Sequence, residues 1–167
     1  MSPYDAITRK PLQIKGVAVT IITYYHLERG SVMTNSNDAK HTLTPGMKRS
    51  ITLSIRNAFK SYMAGINWDE DRYSSDDFLT MWLKQARQSA SWYKELDQSL
   101  DEDEDLQGIL LDKVNQTIRT IFETPPTNEQ MDQIEAIISA NGLEDIPYSC
   151  KMEADYVLAT LTSRYSS

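Results

Sequence analysis

Cysteine is nearly absent from this chain: Cys150 is the single one in 167 residues. A lone cysteine closes no internal disulfide, which tilts the expected setting toward a reducing, cytoplasmic one. As a thiol it reads as a buried structural side chain rather than a nucleophile. Histidine is scarce too, with only His26 and His41. Neither belongs to a recognisable nucleophile–base motif, and no glycine-rich phosphate loop is present. One Cys and two His near one terminus are too few for a zinc site. The expectation is a non-enzymatic protein with no metal and no cofactor.

Long apolar runs are also missing. The longest charge-free apolar stretch, residues 16–25, is half the ~20 residues a membrane span needs. It follows Arg9, Lys10 and Lys15 in loose imitation of a signal peptide. Asp5 lies upstream, however, Thr and Gly dilute the run, and no small-x-small cleavage site follows. It reads as a strand, and no membrane partner is expected. Glycine and proline number six each, so regular structure should dominate.

What is present is core material and unevenly placed charge. Apolar residues make up 40% of the chain, including three Trp and nine Tyr, too much for a disordered segment. One domain over residues 1–167 is expected, with a basic β-containing part (1–44), a helical acidic part (45–162) and a frayed tail (163–167). The net charge of −7 divides sharply. Residues 1–60 hold nine Lys or Arg against three acids (+6), and residues 61–167 hold eight against twenty-one (−13).

Period sets the expected elements. Val17, Val19 and Ile21 alternate with Ala18, Thr20 and Ile22, predicting a strand covered on both faces, or a hairpin, within residues 12–34. Residues 35–44 read as loop. Thr44-Pro45 then opens a helix carrying Met47, Ile51, Ile55, Phe59 and Tyr62, which Gly65 should close. A second helix after Ser75 aligns Phe78, Trp82, Ala86 and Trp92 or Tyr93. A third follows the acidic run 101–105 with Leu106, Leu110, Val114, Ile118, Ile121 and Phe122. Gly108 should weaken its first turn by roughly 1 kcal/mol relative to Ala. Pro125-Pro126 stop it. Thr127-Asn128-Glu129-Gln130 then matches a capping box ahead of Met131, Ile134, Ile137 and Ile138. The last helix uses Ala154, Val157, Leu158 and Leu161. The predicted class is α+β, mostly helical, with about five helices on a small N-terminal β element.

Three charged features are candidates for function. Asp101, Asp103, Asp105 and Asp112 fall at positions 1, 3, 5 and 12 of a calcium loop, but Leu106 stands where the loop needs Gly and Asp112 where it needs Glu. An acidic helix cap fits better. Lys48, Arg49, Arg56 and Lys60 lie on the basic first helix, where Arg49, Arg56 and Lys60 share one narrow face. Tyr24, Tyr25 and Tyr62 could stack on bases, the pattern of an accessory nucleic-acid-binding protein. Finally, Asp69, Glu70, Asp71, Asp76 and Asp77 precede the second helix, and Asp101, Glu102, Asp103, Glu104 and Asp105 follow it. Converging on one face, these ten would attract a basic protein, imitation of DNA phosphates being the extreme form. An inhibitor, immunity factor or regulatory adaptor covering a basic surface is the leading expectation. Direct nucleic-acid binding, an enzyme with an unfamiliar site, and salt-sensitive self-association are the alternatives.

Overall fold

From Thr44 onward the apolar residues recur at helical spacing, and the chain folds accordingly. A computed structural model describes residues 43–100 and 103–165. Among these residues lie six α-helices and one short 3-10 helix, with no strand. The α+β expectation is therefore corrected to an all-helical class for the described residues. The β reading rested on residues 12–34 alone, and that strand or hairpin lies outside the described residues. The remainder carries the 3.6-residue period throughout. The described residues divide into two compact units, one running to Ile118 and the other from Arg119 onward.

In the first unit, α1 spans Pro45–Gly65. Thr44 caps it, its Oγ1 accepting from the Met47 N–H at 3.2 Å, and Pro45 occupies the first turn, where its missing N–H costs nothing. Ile51, Ile55, Ala58, Phe59 and Met63 form its buried stripe. The helix ends at Gly65, as expected, but the left-handed turn beyond it falls at Asn67 and Trp68, both at positive φ (57° and 54°). The Trp68 N–H donates to the Met63 carbonyl at 2.8 Å and the Asn67 N–H to that of Ala64 at 3.1 Å. That pair of bonds is a Schellman closure with Asn in the left-handed position usually held by Gly. A bulky residue at positive φ is strained, and burial of the Trp68 ring against Phe59 offsets that strain.

After a 3-10 helix at Glu70–Arg72, α2 spans Ser75–Ser89. Ser74 caps it, and Asp76 and Asp77 sit in its first turn, where the helix dipole favours acids. Phe78, Trp82 and Ala86 are buried, and α2 packs along α1. The indole N–H of Trp82 donates to Ser54 Oγ at 2.9 Å. The expected single helix through Tyr93 breaks at Ala90, whose backbone is extended. A new helix, α3, spans Ser91–Leu100 and buries Trp92, Tyr93 and Leu96. Six helices appear instead of about five for this reason. Trp82 and Trp92 stack with centroids 5.7 Å apart. On one continuous helix ten residues span about 15 Å, so the stack requires the break.

Asp103 opens α4 (Glu104–Glu123), accepting from the Asp105 and Leu106 N–H groups at 3.0 and 3.1 Å. Leu106, Leu110, Val114, Ile118 and Ile121 are its buried stripe, and the division between units falls within this helix.

In the second unit, α5 (Asn128–Asn141) packs against α6 (Lys151–Tyr165). Ile134, Ile138, Tyr148, Ala154, Val157 and Leu161 form the shared core. The capping box is present: Thr127 N–H donates to Gln130 Oε1 at 2.9 Å, and Gln130 N–H to Thr127 Oγ1 at 3.1 Å. Gln130 does more than cap. It is buried, and its Nε2 donates to the Lys151 carbonyl at 3.2 Å and to Asp155 Oδ1 at 2.5 Å, tying the start of α5 to α6. Gly142, at φ 61°, ends α5 in the left-handed conformation. Cys150 is wholly buried, and burial, the largest influence on it, raises its thiol pKa.

Candidate interaction surfaces

An interleaved pattern runs from the end of α1 into α2. Trp68, Tyr73 and Phe78 recur every five residues, and acids fill the gaps as Asp69-Glu70-Asp71 and Asp76-Asp77. The aromatics go inward. Trp68 and Phe78 are buried and Tyr73 half-buried, all three meeting the Phe59 ring of α1 at centroid distances of 6.3, 5.5 and 6.1 Å. Tyr62 adds edge-on contacts to Tyr73 (5.6 Å) and Phe78 (5.8 Å). All five acids are exposed.

Hydrogen bonds hold the segment between those anchors. Asp69 Oδ1 accepts from the Asp71 N–H at 3.1 Å, closing the 3-10 turn. The Ser74 N–H donates to the Tyr62 hydroxyl oxygen at 3.0 Å, and Ser74 Oγ accepts from the Asp77 N–H at 3.3 Å. Burial pushes the Tyr73 hydroxyl well above its ordinary pKa of 10.0. This ring is a neutral anchor. Five acids and Arg72 give residues 69–77 a net charge of −4, carried on a backbone fixed from below.

The other predicted acids divide differently. Asp103 is half-buried and spends its carboxylate capping α4; Asp105 is exposed. Asp101 and Glu102 lie outside the described residues, as does the side chain of Glu104. The calcium-loop spacing meets a helix from Glu104 onward, with Leu106 buried in its first turns. Among the described residues, no group of three or more His, Cys, Asp or Glu side chains is placed to hold a metal ion.

On α1 the expected basic face forms. Lys48, Arg49 and Lys60 are exposed and Arg56 is half-buried. At about 100° per residue, Arg49, Arg56 and Lys60 fall within about 40° of one another, a row whose Arg56 edge borders the buried Phe59 and Met63. Leu53 lies in the same row and is 59% exposed, a feature the charge pattern alone did not single out. Lys48 stands on a different side of the helix start. Tyr62, proposed above to stack on bases, is instead committed to the aromatic cluster. Tyr24 and Tyr25 lie outside the described residues.

Trp68 and Tyr73, the anchors beneath the acids, and Leu53 were not picked out by reasoning from charge. The five-residue recurrence of aromatics through an acidic stretch was the available signal. No helix among the described residues is long and apolar enough to cross a membrane. No family model, curated protein or solved structure matches the chain.

Proposed function

We propose that this chain is a non-enzymatic interaction protein that docks a basic surface of another protein onto the acidic segment 69–77. The observation that carries the reading is the seating of that segment. Five exposed carboxylates stand on a backbone pinned by Trp68, Tyr73, Phe78 and the Tyr62–Ser74 hydrogen bond. A pre-ordered charged surface loses less conformational freedom on binding than a loose one. Dense single-sign charge also speeds encounter with a complementary partner and makes the association salt-sensitive. An inhibitor or regulatory adaptor that covers a nucleic-acid-binding surface would work this way.

The test uses a synthetic Lys/Arg-rich peptide as probe, titrated by fluorescence anisotropy. Wild-type protein should bind it, and raising salt from about 50 to about 300 mM should weaken binding roughly tenfold or more as the screening length falls. The exposed double reversal Asp71→Lys/Asp76→Lys should abolish that binding while leaving the helical circular dichroism intact. Equal peptide affinity for wild type and reversal would refute the proposal.

A further inference from the structure

Helix α1 carries charge of one sign. Residues 39–68 contain no Asp or Glu, although 24 acids in 167 residues would place about four there. Its cations do not serve the helix. Lys48 falls within the first four residues, where the helix dipole disfavours positive charge, and neither an acid in the first turn nor a base in the last offsets it. By contrast, α2 and α6 each carry acid in the first turn and Arg in the last. Nor do these cations tie the fold together: among the described residues, no side-chain ion pair or hydrogen bond engages Lys48, Arg49, Arg56 or Lys60. The exposed arc is also ordered. At about 100° per residue, Arg56, Arg49 and Lys60 form one edge, Leu53 and Asn57 the middle, and Ser50 and Ser61 the other edge. All but the half-buried Arg56 are exposed. Leu53 lies about 160° around the helix from both Ile51 and Ile55, which are buried.

We infer that this face of α1 binds duplex DNA, lying in the major groove with its cations on the phosphates of one wall. The inference is independent of the acidic segment and its basic partner. Charge complementarity names a polyanion: three unpaired cations in one row, with no acid among them to repel phosphates. Shape selects the duplex. A helix about 10–12 Å across fits the B-form major groove of about 12 Å, whereas the A-form groove of RNA admits no side chains. Single strands need exposed aromatic rings to stack on. No aromatic lies on this arc, and Tyr62 faces Tyr73 and Phe78 instead. An anionic membrane surface calls for a broad apolar face, and Leu53 is the sole exposed large apolar side chain of α1. At the middle of the arc, Leu53 suits a thymine methyl and Asn57 an adenine edge. The hydroxyls of Ser50 and Ser61 suit phosphates of the opposite wall.

Fluorescence anisotropy of a labelled duplex DNA of about 20 base pairs provides the test. Wild type should bind in the micromolar range at low salt. Log affinity should fall against log salt with a slope of about −2.7 for three phosphate contacts, roughly fortyfold between about 50 and about 200 mM. Arg49→Ala/Lys60→Ala should reduce that slope by about two. Arg49→Glu/Lys60→Glu should abolish binding while circular dichroism stays unchanged. Asn57→Ala should weaken binding severalfold at an unchanged slope, as loss of a neutral groove contact requires. Asp71→Lys/Asp76→Lys should keep DNA binding. A wild type that does not bind the duplex at about 50 mM salt overturns the inference, as does binding that survives Arg49→Glu/Lys60→Glu. Equal affinity for duplex RNA or single-stranded DNA also overturns it, because the row would then read phosphates without a groove. A wild type that ignores DNA but binds a polyglutamate peptide through the same row would assign the face to an acidic protein and equally overturn it. DNA binding without binding of the basic peptide sustains this inference and sinks the interaction reading alone.

Discussion

Replacing Tyr62 by phenylalanine removes one oxygen from the middle of the acidic segment's support. The ring stays, and with it the edge-on contacts to Tyr73 at 5.6 Å and Phe78 at 5.8 Å. What is lost is the acceptor for the Ser74 N–H at 3.0 Å, a bond bridging twelve residues in a half-buried setting. A net hydrogen bond contributes about 1 kcal/mol, and a donor left without a partner away from water raises the cost toward about 2 kcal/mol. For a chain of this size that corresponds to a fall in thermal midpoint of about 2–8 °C. Urea unfolding followed by both circular dichroism and tryptophan fluorescence measures it, with an unchanged denaturant slope showing that the transition itself is the same. Because Ser74 also caps α2, the loosened segment should bind the basic peptide more weakly, by less than tenfold, with all five carboxylates still present. A stability change under about 0.3 kcal/mol together with unaltered peptide affinity would refute the claim that Tyr62 pre-orders the acidic surface.

Asn67→Ala should destabilise by about 1–2 kcal/mol, because Ala lacks the side chain that eases positive φ, whereas Asn67→Gly should match or exceed wild type; equal midpoints for both would count against the Schellman closure. Gln130→Leu should lower stability by about 2–4 kcal/mol, since three side-chain hydrogen bonds vanish at once. A double-mutant cycle with Asp155→Ala should give a coupling of at least about 1 kcal/mol, and an additive result would exclude a direct bond. Cys150 predicts a pH dependence. Burial favours its neutral thiol and raises the folded pKa above the ordinary 9.0, so its contribution is fully present below pH 9.0 and is lost as pH rises through the folded value. Unfolding measured from pH 7 to pH 11 should show a shallower alkaline decline in Cys150→Ala than in wild type.

Much of the helical order was legible from α1 onward. Thr44-Pro45, the Thr127–Gln130 capping box and the stripes Ile51–Ile55–Phe59 and Leu106–Leu110–Val114–Ile118 involve residues three or four apart, whose geometry a helix fixes locally. The grouping of Arg49, Arg56 and Lys60 on one face follows from the same period. The assignment to α+β failed because it extended a pattern in residues 12–34 to the class of the whole chain, while the described residues hold helices without a strand.

Other features had no local cause to read. Gly65 ends α1 as its sequence suggests, but the left-handed turn that follows falls at Asn67, where Trp68 packs edge-on to Phe59. Ala90 has no breaking chemistry of its own; the Trp82–Trp92 stack, between rings ten residues apart in sequence, extends its backbone. Gln130 was recognised as a cap, but its bonds to Lys151 and Asp155 span twenty-one and twenty-five residues. Sequence by itself determined the composition of each face: which residues are apolar, which are acidic, which cations share a row. Tertiary packing alone decided that the acids of residues 69–77 stand on an aromatic base. A helical period ranks residues around one axis, whereas the side of that axis another segment covers depends on which rings find each other across the chain.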